Sequence, residues 1–441
     1  MTPAVPRSRS RVLFSIAVLS LLLASAGPAD AKGKPAAKPS PATRAEAIAR
    51  AMRRLDEDVL ASEEDMNEQH KVFTRSIAGL CFLLDPAAGK GAAHPDCIDR
   101  ALDSVSRYVE GAAAHERARK PGKQPDELSA MEWSQTTWSL SAASLFCAEL
   151  VARGTRKSAA TATLRTALDL LAKSQQADGG FGHDRDGRPR LPEIEIAGKK
   201  MKYPNTLLSA SAWAGLALGV GRPIGGKSLE PVVAKAKAYF AAAVDPEGTY
   251  PYDPSQRGEA GGADPTAAAR SAGVYAALRA LGVSPKEKSL ARTADWLKKH
   301  VDDMPEGHGS APHGVFFGAI ACPAIGPDAK KSFDDLVVPR ILAAQDLDPS
   351  EGGALDCICK KAFATTCESF HGTDLMETMG AGKSPAAWQA WRRAYVNALN
   401  LFALLASSSR PRFLDGVPAD AGTPGAVTPA DPTSPPPAMA N

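Results

Sequence analysis

Between positions 308 and 371 this chain gathers the side chains best suited to chemistry. Cys357, Cys359, Cys367 and His371 could supply three thiolates and an imidazole, the donor set of a closed structural zinc site. Their C-x-C and C-x-x-x-H spacings match no common zinc pattern. In an oxidising compartment the same cysteines pair as disulfides instead. No cofactor is therefore expected, with zinc at these four residues as the alternative. His308 and His313 flank Gly309-Ser310-Ala311-Pro312 at the start of an expected helix. Together with Asp356 and His371 they could form a polar ligand-binding cluster. No Ser-His-Asp set can be chosen, because triad members are defined by geometry rather than chain order. His183-Asp184-Arg185-Asp186-Gly187 fits neither a calcium loop nor a phosphate loop and reads as a surface turn.

Seven cysteines cannot all pair within one chain. Cys81 closes one expected helix and Cys97 opens the next, which suits a bridge across that loop. Cys322, Cys357, Cys359 and Cys367 could supply two more, and Cys147, beside Leu145 and Phe146, reads as a buried thiol. Each bridge would contribute about 2–4 kcal/mol.

The elements that must position these groups are helices. Apolar residues recur at helical spacing over 158–176, with Ser158 as the expected N-cap. Further helices are expected over 43–60, 66–84, 97–115, 134–153, 205–219, 230–244, 265–282, 285–300, 312–325, 333–345 and 385–406. β-branched alternating runs are nearly absent, so no substantial sheet is expected. The helices are of two kinds. One is rich in small residues and apolar all round, which suits burial on both sides; the other is charged on one face, which suits an outer layer against water. Tyr203, Trp213, Tyr239, Tyr250, Tyr252 and Tyr275 are spread over the middle of the chain, lining a cavity or packing between helix layers.

Helix 158–176 ends in Gln175, followed by Gly179, Gly180 and Phe181. Gln345 with Gly352 and Gly353 is a looser copy, and Gly248 with Tyr250 marks a third. The first copy resembles the Q-x-x-x-G-G-F repeat of protein prenyltransferase β subunits and squalene–hopene cyclases. The resemblance covers the organisation of residues 134–407. It implies an all-α fold, an α/α toroid with a double ring of inner and outer helices, in which Gln caps neighbouring helix ends, the glycines turn the chain and the aromatic packs beneath. The family's catalytic strings are not carried over. Asp346-Leu347-Asp348-Pro349 has Pro where a class II cyclase needs its last Asp. Asp356-Cys357-Ile358-Cys359 departs from the prenyltransferase zinc spacing, and His371 lies too near in sequence. Such a fold hosts unrelated functions.

Residues 1–31 read as a secretory signal, with Arg7, Arg9 and Arg11 ahead of an apolar stretch too short to span a bilayer comfortably, and a small-x-small site at Ala29-Asp30-Ala31. An exported, periplasmic or extracellular, protein is expected, with no transmembrane segment after cleavage. Losing three Arg and one Asp takes the net charge from +3 to about +1, which excludes a nucleic-acid binder built on a basic stripe. Residues 32–42 and 408–441 are Pro- and Ala-rich and expected to be disordered, leaving a toroid domain over 43–407 in which the placement of 43–115 is open. The function expected is binding or scaffolding without catalysis, with a protein or glycan as ligand. The alternative is an extracytoplasmic enzyme acting on a polysaccharide or an isoprenoid.

Overall fold

A computed structural model describes residues 41–61, 68–86, 94–119, 136–183, 193–196, 199–202, 206–252, 266–306, 311–345, 353–358 and 385–415. The chain divides into two units. In the smaller, β1 (Glu193–Ile196) and β2 (Lys199–Lys202) form an antiparallel hairpin that pairs Glu193 with Lys202 and Ile196 with Lys199. The other unit is helical.

Among its described residues six helices form an inner ring: α2 (Glu68–Leu84), α4 (Thr136–Arg153), α6 (Leu208–Gly225), α8 (Ala267–Ala280), α10 (Ala311–Ile325) and α13 (Pro385–Ser408). Each packs on the next, and α13 packs back on α2. Outside them run α1 (Pro41–Ala61), α3 (Pro95–Ala118), α5 (Lys157–Ser174), α7 (Glu230–Ala243), α9 (Lys288–Lys299), α11 (Pro327–Leu336) and α12 (Val338–Ala343). The unit is a closed α/α toroid. Residues 43–115 complete it, giving α2 to the inner ring and α1 and α3 to the outer. The expected helix over 333–345 is instead two, α11 and α12, because Pro339 cannot donate within a continuous helix. Helix α5 begins at Lys157 after Arg156, so Ser158 is not its N-cap.

Burial explains the two helix types. Helix α8 is buried from Ala267 to Arg279, whereas α9 buries only Leu290, Thr293 and Leu297, one stripe at three- and four-residue spacing. Small residues let the inner backbones approach. A Cβ on Gly219 of α6 would stand 2.5 Å from the Ala280 carbonyl carbon of α8.

The three turn copies clasp successive outer helices. Gln175 Nε2 donates to Gly179 O at 3.0 Å and to Val232 O of α7 at 2.9 Å. Gln345 Nε2 donates to Gly353 O at 2.8 Å and to Ala47 O of α1 at 2.9 Å. Gln345 Oε1 accepts from Arg50. The last copy thus ties the end of the outer layer to its beginning. In the middle copy Val244 stands where Gln would, with nearly the same backbone (φ −70°, ψ 133° against −67°, 128° at Gln175). There Thr293 Oγ1 of α9 lies 2.7 Å from Gly248 O and 3.1 Å from Ser289 O, sharing its proton between the two equivalent carbonyls. Gly179, Gly248 and Gly353 have φ of 93°, 91° and 88°, and a Cβ on any of them would strike the next outer helix at Lys235, Arg292 or Arg50. Phe181 and Tyr250 are fully buried beneath their turns.

Further bonds seal the ring. Asn397 of α13 accepts from Leu355 N at 3.0 Å and donates to Ala51 O of α1 at 2.9 Å. Buried Asp58 of α1 meets Arg54 and Arg393. The fold also continues beyond the expected end of the domain: Ser408 belongs to α13, and Arg412–Leu414 forms a 3-10 turn. Its Phe413 N donates to Glu149 Oε2 of α4 at 2.8 Å, and Arg153 Nε donates to the other carboxylate oxygen at 2.6 Å.

Candidate functional site: an aromatic and imidazole rim

Because an outer helix separates successive inner ones, all inner helices begin at one end of the ring. Their first turns make a rim there. Trp138 lies in the first turn of α4 and His313 in the first turn of α10, with Phe73 on α2, Trp213 on α6 and Tyr395 on α13. His183 joins them from the chain just past the Gln175–Phe181 turn, where its carbonyl accepts from Thr137 N.

Trp213 is fully buried. Its ring meets Phe316 at 4.6 Å between centroids, Phe317 at 5.0 Å and Phe73 at 5.2 Å, and Phe316 in turn meets Phe402 at 4.3 Å. These rings come from α2, α6, α10 and α13, so the chain's own side chains fill the middle of the ring. Trp138, His183 and His313 are half-buried. Trp138 stacks toward His183 at 6.0 Å and meets His313 edge-on at 5.2 Å.

Two indoles are fixed by imidazoles. Trp138 Nε1 donates to His183 Nδ1 at 3.1 Å, and Trp213 Nε1 donates to His313 Nδ1 at 2.9 Å. An indole N–H is donor only, so each Nδ1 must present a lone pair. In the neutral ring the proton is therefore on Nε2, and His313 Nε2–H donates to the Tyr395 hydroxyl. That hydroxyl accepts from His313 and directs its own proton elsewhere.

The chain is similar to a solved structure of a type II terpene cyclase from Scytonema in complex with its substrate, geranylgeranyl dihydroxybenzoate. The identity is 13%, over 83% of this chain and 100% of that one, with a TM-score of 0.44. No protein-family model and no curated protein matches. The toroid assignment rests on the helix packing described above.

Of the four expected cluster residues, His313 belongs to the rim. Asp356 is exposed, its carboxylate 3.8 Å from Arg392, while its backbone carbonyl accepts from Asn400 at 2.8 Å. His308 and His371 lie outside the described residues, as do Gly352, Cys359 and Cys367. His183, read as part of a surface turn, is instead the acceptor for Trp138. Neither Trp138 nor Tyr395 stood out in the sequence. Trp138 precedes a run of small residues and Tyr395 sits within a long helix, so only the ring brings them together.

The Cys81–Cys97 bridge does not form: among the described residues Cys81, Cys97, Cys147 and Cys322 are free thiols. Cys81 is buried against α13, where its thiol contacts Ala398 O at 3.2 Å. Cys97 lies on the outer layer, 3.2 Å from Asp56 Oδ1. The two neighbours in sequence thus face different layers. Burial pushes the Cys147 thiol up to about 12, and burial with Asp56 beside it pushes Cys97 up to about 11. Cys81 and Cys322 are raised by burial as well. Among the described residues no group of three or more His, Cys, Asp or Glu could hold a metal ion, and no helix is long and apolar enough to cross a membrane.

Proposed function

We propose that this chain is an exported ring that binds a neutral glycan at its rim without transforming it. The fully buried Trp213 at the middle of the ring carries this reading. With the centre filled, a ligand meets the half-buried edge formed by Trp138, His183 and His313. An indole face packs against the C–H face of a pyranose, and polar side chains beside it suit its hydroxyl groups. A fixed indole also loses little side-chain entropy on binding. Export is inferred from the pattern of residues 1–31.

The test is titration of the purified protein with neutral oligosaccharides, followed by tryptophan fluorescence and calorimetry, with released products assayed in parallel. Saturable binding that Trp138→Ala weakens at least about tenfold, without turnover, is the expected result. No binding to any glycan, or uptake of an isoprenoid that ignores Trp138→Ala, would overturn the glycan reading. Glycan turnover abolished by Tyr395→Phe would replace it with the enzymatic alternative, which the His313–Tyr395 hydrogen bond favours. Fractionation of cells making the full chain tests export.

A further inference from the structure

The bond between Trp213 and His313 does something a purely apolar plug would not. Trp213 has its whole side chain buried among Phe73, Phe316 and Phe317, and its one polar atom is satisfied by His313 Nδ1 at 2.9 Å. A buried indole N–H without an acceptor costs about 1–3 kcal/mol. The acceptor is an imidazole, which has a lone pair at Nδ1 only while neutral, and it is half-buried, within reach of solvent protons. Because Nε2 already carries a hydrogen toward Tyr395, an added proton must go to Nδ1. It would then place N–H against N–H.

We propose that His313 is an acid-operated latch on Trp213. Protonation ejects the indole N–H from its bond and loosens the aromatic plug at the middle of the ring. The groups around His313 are compatible with this. Among the described residues, Tyr395 is the titratable side chain facing it from α13, while α2, α4 and α6 present Phe73, Trp138 and Trp213, which do not titrate. Arg270, the charged residue in the first turn of the neighbouring α8, turns to Tyr250 O and Thr266. At the rim the Trp138–His183 pair repeats the same chemistry and serves as an internal comparison. The latch does not depend on which ligand the rim takes.

The experiment uses the full chain labelled with ¹⁵N-tryptophan, its indole N–H resonances recorded from about pH 8 to pH 5, the span around an ordinary imidazole pKa. Trp213→Phe and Trp138→Phe assign the two signals. The Trp213 resonance is expected to move from a hydrogen-bonded to an unbonded position in a single one-proton step, with increased acrylamide quenching and unchanged helical circular dichroism. His313→Asn keeps an acceptor near the Nδ1 position but cannot take up a proton, so in that variant the step should vanish and the bonded position persist. Tyr395→Phe, which spares Nδ1, should keep the step. A Trp213 signal that stays put to pH 5 in the unaltered protein would overturn the latch. So would one that moves identically in His313→Asn.

Discussion

The two ends of the helical ring solve the same connection problem in opposite ways. At three of the points where inner helices end, the chain turns back at once. Gly154-Thr155-Arg156 joins α4 to α5, a 3-10 turn over Gly226–Leu229 joins α6 to α7, and Gly326 joins α10 to α11. Arg156, with φ of 47°, is held there by Asp99. The chain's last described turn folds back onto this end, with Phe413 bonded to the buried Glu149. Where inner helices begin, the chain passes through the glutamine and threonine turns that clasp successive outer helices, several connections are longer, as over 120–135, 253–265 and 359–384, and the ring offers half-buried aromatic and imidazole side chains beside those clasps. One end is held by the last described turn on Glu149, and the other combines the turn clasps with groups presented for contact. A frame clasped at both ends leaves the rim free to carry polar and aromatic groups at modest cost in stability, the usual division between scaffold and site.

This contrast can be broken most sharply at Glu149. Glu149→Ala leaves Phe413 N and Arg153 without their carboxylate inside the protein, and should cost about 3–5 kcal/mol in denaturant unfolding. Protease should then release the segment after α13. A loss under about 1 kcal/mol would mean that the closed end is not held by this clasp.

The thiols distinguish inner from outer surroundings. Burial favours the neutral thiol and raises its pKa, so less thiolate exists at any given pH. At pH 8, Cys97, pushed up to about 11, should alkylate roughly 100-fold more slowly than an ordinary thiol. Its rate should keep climbing toward pH 11 instead of levelling near 9. Cys147 should stay unlabelled until the protein unfolds. Site-resolved mass spectrometry after iodoacetamide reads both.

At the rim, Trp138→Ala is expected to cost only about 1 kcal/mol of stability while removing ligand binding. A much larger loss in the same unfolding assay would make Trp138 part of the frame. The smallest effect concerns the turn copies. Val244→Gln should restore the missing amide to Gly248 O and Ser289 O and stabilise by about 0.5–1 kcal/mol. Thr293→Val should cost less in that background than in the original chain, and a double-mutant cycle measures the difference. Equal costs would show that Thr293 does not stand in for glutamine.

Much of the frame could be read from residues alone. The spacing of Leu164, Ala167, Leu168 and Leu171 specified one amphipathic outer helix, and Gln175 with Gly179 marked where it turned. The site was less legible. His313 is legible from its residue type and place, while Asp356 stands apart from it beside Arg392. His183 reads from its charged stretch as a surface turn, and neither Trp138 nor Tyr395 carries a local sequence signal.

The division has a physical cause. Helix type, turn position and burial pattern follow from contacts a few residues apart, where side-chain chemistry and backbone freedom act directly, so the sequence by itself determined the alternation of buried and amphipathic helices. Closure and the rim depend on pairs such as Gln345 with Ala47, Trp213 with His313, and His313 with Tyr395. Such partners meet only after every intervening helix has taken its place. The tertiary structure alone decided that the ring shuts, that Trp213 fills its centre, and that Cys81 faces away from Cys97.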